Sequence, residues 1–186
     1  MQAIVDPLQY EDDEGHQFHV TDRRMATVYV ESSIIGYLRQ TPSADILNAA
    51  RQLLTARWWA TGRSGYELVI SQYVLDEIAA GDSALAAERL RAVEGIPVVP
   101  PALEIPQIAS EIMARAILPA KGQVDALHIA AVAHHRINYL VTWNCSHIAN
   151  ARILPRIFAV LKERNLPIPI ICTPEELLGD DSSTEA

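Results

Sequence analysis

Asp125-Ala-Leu-His-Ile-Ala-Ala-Val-Ala-His134 is the stretch on which the fold turns. Ala126, Ile129, Ala130 and Ala133 recur at three- and four-residue spacing, and Leu127, Ala131 and Val132 make the remaining faces apolar. A helix apolar on most sides lies in a core. Asp125 at its start therefore enters that core, or the rim of a cleft cut into it. Stranding a carboxylate there costs several kcal/mol, roughly, so it must be paired, hydrogen-bonded or metal-bound. Glu31, Glu77 and Asn144 are the residues it can meet, each at the edge of its own apolar segment.

Working outward, Thr27-Val-Tyr-Val30 reads as a strand ending in Glu31. Ser43 is a candidate N-cap for a helix reaching Ala60, with Ile46, Ala50, Leu53, Leu54 and Arg57/Trp58 as its stripe. Residues 67–71 form a second strand. Ser71 then caps a short helix that carries Glu77 and is closed by Gly81. Residues 96–99 read as an edge strand because of Pro97. Ile105 to Leu118 is helical in pattern. Residues 138–143 form a strand ending at Asn144, and residues 151–165 a helix kinked at Pro155. A last strand covers 167–171, and Thr173-Pro174 opens a closing turn. Strands alternating with helices predict an α/β fold: a central parallel sheet of about four to five strands, with helices on both faces.

Composition sets the bounds. A chain of 186 residues, 49% of them hydrophobic, makes one domain with an ample core. No run approaches the roughly 18 apolar residues of a membrane helix. Cys145 and Cys172 have no metal-knuckle spacing and read as free thiols of a reducing cytoplasm. The net charge of −8 is uneven. Residues 1–26 hold six acids against two arginines, and 180–186 add three acids. Residues 27–179 hold 13 basic and 14 acidic residues, so the body is nearly neutral and carries no strong phosphate-binding field. The expected organisation is an acidic, unstructured tail (1–26), a folded domain (27–179) and a polar C-terminal tail (180–186).

In a parallel sheet the C-terminal strand ends share one rim, where ligands bind. Glu31 and Asn144 fall there, and Glu77 and Asp125 lie on helices that can point at it. Carboxylates gathered so closely repel by several kcal/mol, roughly, unless a cation joins them. An all-oxygen set favours Mg²⁺ or Mn²⁺ over zinc, and such an ion suits phosphodiester hydrolysis. Each acid also has a structural reading. Glu31 can be a helix-start acid, Glu77 or its neighbour Asp76 a solvated charge, Asp125 a helix-dipole partner and Asn144 a turn residue.

The order of the four pieces resembles that of PIN-domain ribonucleases, the family that includes VapC-type toxins. Val28-Tyr-Val-Glu-Ser-Ser33 resembles the family's opening strand, which normally ends in Asp-Thr/Ser-Ser. Val74-Leu-Asp-Glu-Ile78, Asp125-Ala-Leu-His-Ile-Ala130 and Leu140-Val-Thr-Trp-Asn144 resemble the segments carrying its other three site positions. The resemblance spans residues 27–178. It implies Glu31, Glu77 and Asp125 as metal-site acids, with Asn144 at the fourth catalytic position and Mg²⁺ or Mn²⁺ as cofactor. It further implies an RNA substrate, an antitoxin partner and a homodimer. Two residues depart from the family pattern: Glu31 is one methylene longer than the usual Asp, and Asn144 replaces an acid.

His128, one turn after Asp125, reads as a hydrogen-bonded core histidine, with metal ligation or acid–base work as its alternative. His147 can approach Asn144. Lys121, just before Asp125, is the leading phosphate contact, with Arg39, Arg51, Arg57 and Arg63 as further candidates. Trp58-Trp59 reads as a packing or subunit contact. The leading functional expectation is a metal-dependent endoribonuclease of toxin type. The alternative is a catalytically impaired PIN fold that binds RNA or protein. A phosphatase-like hydrolase would want an Asp nucleophile where Glu31 stands.

Overall fold

The computed structural model describes residues 25–115 and 117–178, together with the backbone of a two-stranded antiparallel ribbon, β1 (Tyr10–Glu11) and β2 (Gln17–Phe18). Apart from that ribbon and residues 25 and 26, the acidic N-terminal segment lies outside the described residues, as does the 180–186 tail.

The central sheet is parallel throughout. β3 (Thr27–Val30) lies between β4 (Glu67–Val69) and β5 (Tyr139–Val141), and β6 (Ile170–Cys172) is the outer strand beyond β5. The chain leaves β3 toward β4 on one side and returns to β5 on the other. The C-terminal ends of β3 and β5 therefore flank a topological switch point, where α/β sheets open a crevice. Glu31 ends β3, and Thr142 to Asn144 follow β5.

The expected strand at 96–99 is reduced to a single parallel bridge, Ile70 with Val98. Ile70 N–H donates to Pro97 O and Val99 N–H to Ile70 O. Pro97 has no N–H to extend the ladder, so pairing stops there.

Among the described residues seven α-helices surround the sheet: α1 (Ser32–Arg39), α2 (Ile46–Ala60), α3 (Gln72–Ile78), α4 (Ser83–Ala92), α5 (Glu104–Ala114), α6 (Gln123–His134) and α7 (Leu154–Glu163). None of them is long and apolar enough to cross a membrane. α6 is the buried helix expected from its sequence. Ala126, Ile129, Ala130, Ala131, Val132 and Ala133 are all fully enclosed. Its small side chains let it pack closely on α5, whose Ile105, Ile108, Ala109 and Ile112 form the facing surface of the core.

Several local expectations shift. α2 is capped by Asp45, whose carboxylate accepts from Asn48 N–H at 2.9 Å, and Ser43 instead accepts from Asp45 N–H. Its core-facing residues are Thr55 and Trp58, while Ile46, Leu47 and Leu53 are exposed. Apolar residues stand on both sides of this helix, so spacing alone does not choose the buried one. α5 stops at Ala114 rather than Leu118. α7 starts at Leu154 with Pro155 in its first turn, where a missing N–H is harmless, and there is no kink to explain. Gly81 and Gly95 follow helix ends with φ of +90° and +80°, a backbone only glycine takes without strain.

Candidate active site

Glu31 is 3% exposed, and among the described residues its carboxylate is held by hydroxyls. Ser32 Oγ donates to Oε1 at 2.8 Å, while Ser33 Oγ and Thr142 Oγ1 donate to Oε2, the latter at 2.7 Å. No lysine or arginine pairs with it among the described residues. Extended backbone at Glu31 turns the chain from β3 into α1, which brings Ser32 and Ser33 back over the carboxylate.

Glu77 reaches the same place from α3. Its Oε2 lies 2.8 Å from His128 Nε2. Burial works against the Glu77 carboxylate, but hydrogen bonding and charge from His128, with help from Ser32, outweigh it and hold its pKa below the ordinary value. The neighbouring Asp76 points elsewhere and accepts from Gln72 Nε2, so it is the solvated member of the pair.

His128 is wholly buried. Its Nδ1 lies 2.7 Å from Tyr29 Oη, which lies 2.6 Å from Ser71 Oγ. Ser71 occupies the N-cap position of α3 yet makes no side-chain cap bond, because its hydroxyl is spent on Tyr29. Glu31, Glu77 and His128 each offer one ligand atom, all within 4.8 Å of one another. Two carboxylates and an imidazole, with a buried acid that no lysine or arginine pairs among the described residues, are a donor set suited to a divalent cation.

Asp125 heads an adjoining cluster. Asn144 Nδ2 donates to its Oδ1 at 2.7 Å, and His147 Nδ1 lies 2.8 Å from its Oδ2. Asn144 Oδ1 accepts from His147 N–H at 3.1 Å. The Asn144 amide thus turns its N–H side to the acid and its carbonyl to the loop. Burial pushes the Asp125 pKa above the ordinary carboxyl value, the hydrogen bond and charge of His147 pull it down, and the net shift is upward. Glu31 adds to the rise and His128 opposes it, so the two clusters feel one another. Thr142 joins them directly, donating to Glu31 and accepting from Asn144 N–H at 2.9 Å.

Of the expected metal-site acids, Glu31 and Glu77 come together. The third ligand atom within their reach belongs to His128, with Asp125 beside it rather than among them. Both residues lie on one face of α6, and the Asn144–His147 turn decides which one is drawn aside. Tyr29, Thr142 and Ser33 join the site without a motif in the sequence to mark them: Tyr29 bonds His128, Thr142 bonds Glu31, and Ser33 Oγ donates to Glu31 and accepts from Trp143 N–H. A tyrosine in the middle of an apolar central strand was the available signal, since a buried phenol needs a partner.

Of the expected RNA contacts, Lys121 is exposed in the 3-10 turn Ala120–Gly122 that leads into α6. Arg39 is exposed at the last position of α1, ~10 Å along the axis from the end that carries Ser32 and Ser33. Arg51 is more closely built in. Its guanidinium lies 5.5 Å from the Trp143 ring centroid and 5.9 Å from that of Tyr37, and it donates to Tyr37 Oη at 3.1 Å. Trp143 Nε1–H donates to Thr55 Oγ1, and Trp143 N–H to Ser33 Oγ, so this platform is tied to the Glu31 cluster.

No protein-family model and no curated protein sequence matches the chain. Solved structures do. The chain is similar to the Mycobacterium tuberculosis toxin VapC20, described as cleaving the sarcin–ricin loop, with a TM-score of 0.51 and 19% identity. That match covers 67% of this chain and 95% of VapC20. A second match is to VapBC2 of Rickettsia felis bound to a promoter DNA fragment, with a TM-score of 0.47 and 11% identity, covering 79% of this chain and 98% of that one.

Proposed function

The protein has the fold of a VapC-type PIN domain, and on that premise we propose that it is a divalent-metal-dependent endoribonuclease, the toxin of a toxin–antitoxin pair. The observation that carries the reading is the placement of Glu31, Glu77 and His128 within 4.8 Å at the sheet's switch point, with Asp125 in contact through Thr142 and Asn144.

Glu31 and Glu77 would hold Mg²⁺ or Mn²⁺, with Asp125 acting on the water beside it. When bound, such an ion supplies a water of lowered pKa and neutralises charge on the scissile phosphate. The protein's own residues do the rest. Ser32, Ser33 and Thr142 fix both oxygens of Glu31, so the buried carboxylate is preorganised. Asp125 orients His147 through Nδ1, leaving Nε2 without a partner among the described residues and available to a water or a phosphate oxygen. Arg51, stacked on Trp143, and Lys121 supply positive charge to the flanking phosphates of a nearly neutral body. Exposed Ile46, Leu47 and Leu53 on α2 suit a homodimer contact, and an antitoxin segment would cover the acidic cleft.

One observation favours a second reading, an RNA- or protein-binding module with impaired catalysis. Asn144 offers N–H groups where an acid would add charge, which lowers cation affinity. The two readings separate on incubating the protein with a mixed RNA pool and Mg²⁺ or Mn²⁺. The nuclease reading expects metal-dependent cleavage that Glu31→Gln removes. RNA retention without cleavage at any metal concentration would establish the module instead.

A further inference from the structure

We propose that His128 is itself a metal ligand, with its tautomer set by Tyr29 and Ser71, so that the site selects Mn²⁺ over Mg²⁺. The inference rests on the metal site of the reading above, though not on RNA as the substrate.

The chain Ser71–Tyr29–His128–Glu77 is continuous, with steps of 2.6, 2.7 and 2.8 Å. Two arrangements of hydrogen are open to these groups, one without a cation and one with a cation bound. In one, Ser71 O–H donates to Tyr29 Oη, Tyr29 O–H donates to His128 Nδ1, and Nε2–H donates to Glu77. In the other the two hydroxyl steps reverse and the Nε2–H bond to Glu77 is given up, so a cation must stand between Nε2 and the carboxylate. Nδ1–H donates to Tyr29 Oη, Tyr29 O–H donates to Ser71 Oγ, and Nε2 presents a bare lone pair. A phenol hydroxyl such as that of Tyr29 serves equally as donor and acceptor.

The second arrangement aims the Nε2 lone pair at the space shared by the Glu31 and Glu77 carboxylates. His128 is then oriented as metal-bound imidazoles are, with its other nitrogen anchored by a hydrogen bond. Tyr29 and Tyr73 meet the ring edge-to-face, with centroids 5.7 and 6.4 Å away, and confine its plane. Mg²⁺ favours an all-oxygen octahedron, whereas an imidazole nitrogen favours transition ions. The chemistry of the third ligand therefore biases the site toward Mn²⁺.

The test uses the full chain loaded with one equivalent of Mn²⁺. Pulsed electron paramagnetic resonance detects ¹⁴N modulation from a directly bound imidazole. The wild type is expected to show one such nitrogen, to lose it in His128→Gln and to keep it in His147→Gln. Tyr29→Phe keeps the nitrogen but weakens Mn²⁺ binding by about tenfold or more. Competition should show Mn²⁺ bound at least about tenfold tighter than Mg²⁺, and Tyr29→Phe should narrow that gap. If His128→Gln does not fold, His147→Gln and Tyr29→Phe carry the assignment. Bound Mn²⁺ without ¹⁴N modulation would overturn the ligand role while leaving a carboxylate metal site intact. Modulation lost in His147→Gln would overturn it in favour of that histidine. Failure to bind Mn²⁺ at all would remove both this inference and the metal-dependent reading beneath it.

Discussion

Asn144 Nδ2 donates to Asp125 Oδ1 across 2.7 Å, so the residue expected at a fourth site position props an acid instead of adding one. Restoring a carboxylate there would set two like charges at close range. At an effective dielectric near 20, charges ~4 Å apart repel by ~4 kcal/mol. Asn144→Asp should therefore lower the Tm in EDTA. Saturating Mn²⁺ should then raise the Tm of the variant by more than that of the wild type. Differential scanning fluorimetry with and without metal checks both, and an unchanged Tm in EDTA would show that the two side chains do not share a site.

Asp125→Asn separates stability from function. Burial holds the Asp125 pKa above its ordinary 3.8. For an acid with a raised folded pKa, the unfolded chain ionises first as pH rises. Stability is thus lost between pH 3.8 and the raised value and stays lost above it. An asparagine escapes that loss. Its carbonyl still accepts from Asn144, and its amide faces Nδ1 of His147. The variant should be at least as stable as wild type at pH 7, with the difference vanishing below about pH 3.8, and it should be inactive on RNA. Thermal melts across pH 3–8 give the comparison. A variant less stable at neutral pH would contradict the assigned environment.

Thr142 is fully buried and serves both clusters, donating to Glu31 and accepting from Asn144 N–H. Thr142→Val keeps the shape and removes both bonds. Leaving those partners short should cost about 1–3 kcal/mol. In a chain of this length that is a fall of roughly 2–4 °C in Tm per kcal/mol. Urea unfolding measures it directly. A neutral result would mean that water replaces the hydroxyl and that Thr142 does not link the two halves.

The general plan of this site was legible because strand-end and helix-start acids obey short-range rules. Glu31 closes an apolar strand, Glu77 lies on the short helix that follows the second strand, and Asp125 opens an unmistakably buried helix. The choice between Asp125 and His128 was not legible. Three residues apart on α6, they share a face, and their difference in depth is set by Asn144 and His147, some 20 residues away. Nor does spacing say which flank of α2 is core, since Trp58 and Leu53 are both apolar. The tertiary packing settles it: Trp58 is enclosed in the core while Leu53 is exposed, and Gly62 leaves room for the indole, since a Cβ there would sit 2.6 Å from it. The strand expected at 96–99 shrank because one proline withholds the N–H that pairing needs.

Arg51 tests substrate handling apart from chemistry. It touches Trp143 and Tyr37, not the acids, so Arg51→Ala should raise KM for RNA by about tenfold while kcat changes little. The salt dependence of binding should flatten by roughly one phosphate contact. Steady-state cleavage at several ionic strengths measures both. A loss confined to kcat would move Arg51 into the reacting centre.

The proposed chemistry depends on a cation held at Glu31, which calorimetric titration of Mn²⁺ into wild type and Glu31→Gln measures. The prediction is one site per chain in the wild type and none in the variant, with the fold of both intact by circular dichroism. Equal binding by the two proteins, or none by either, would contradict it.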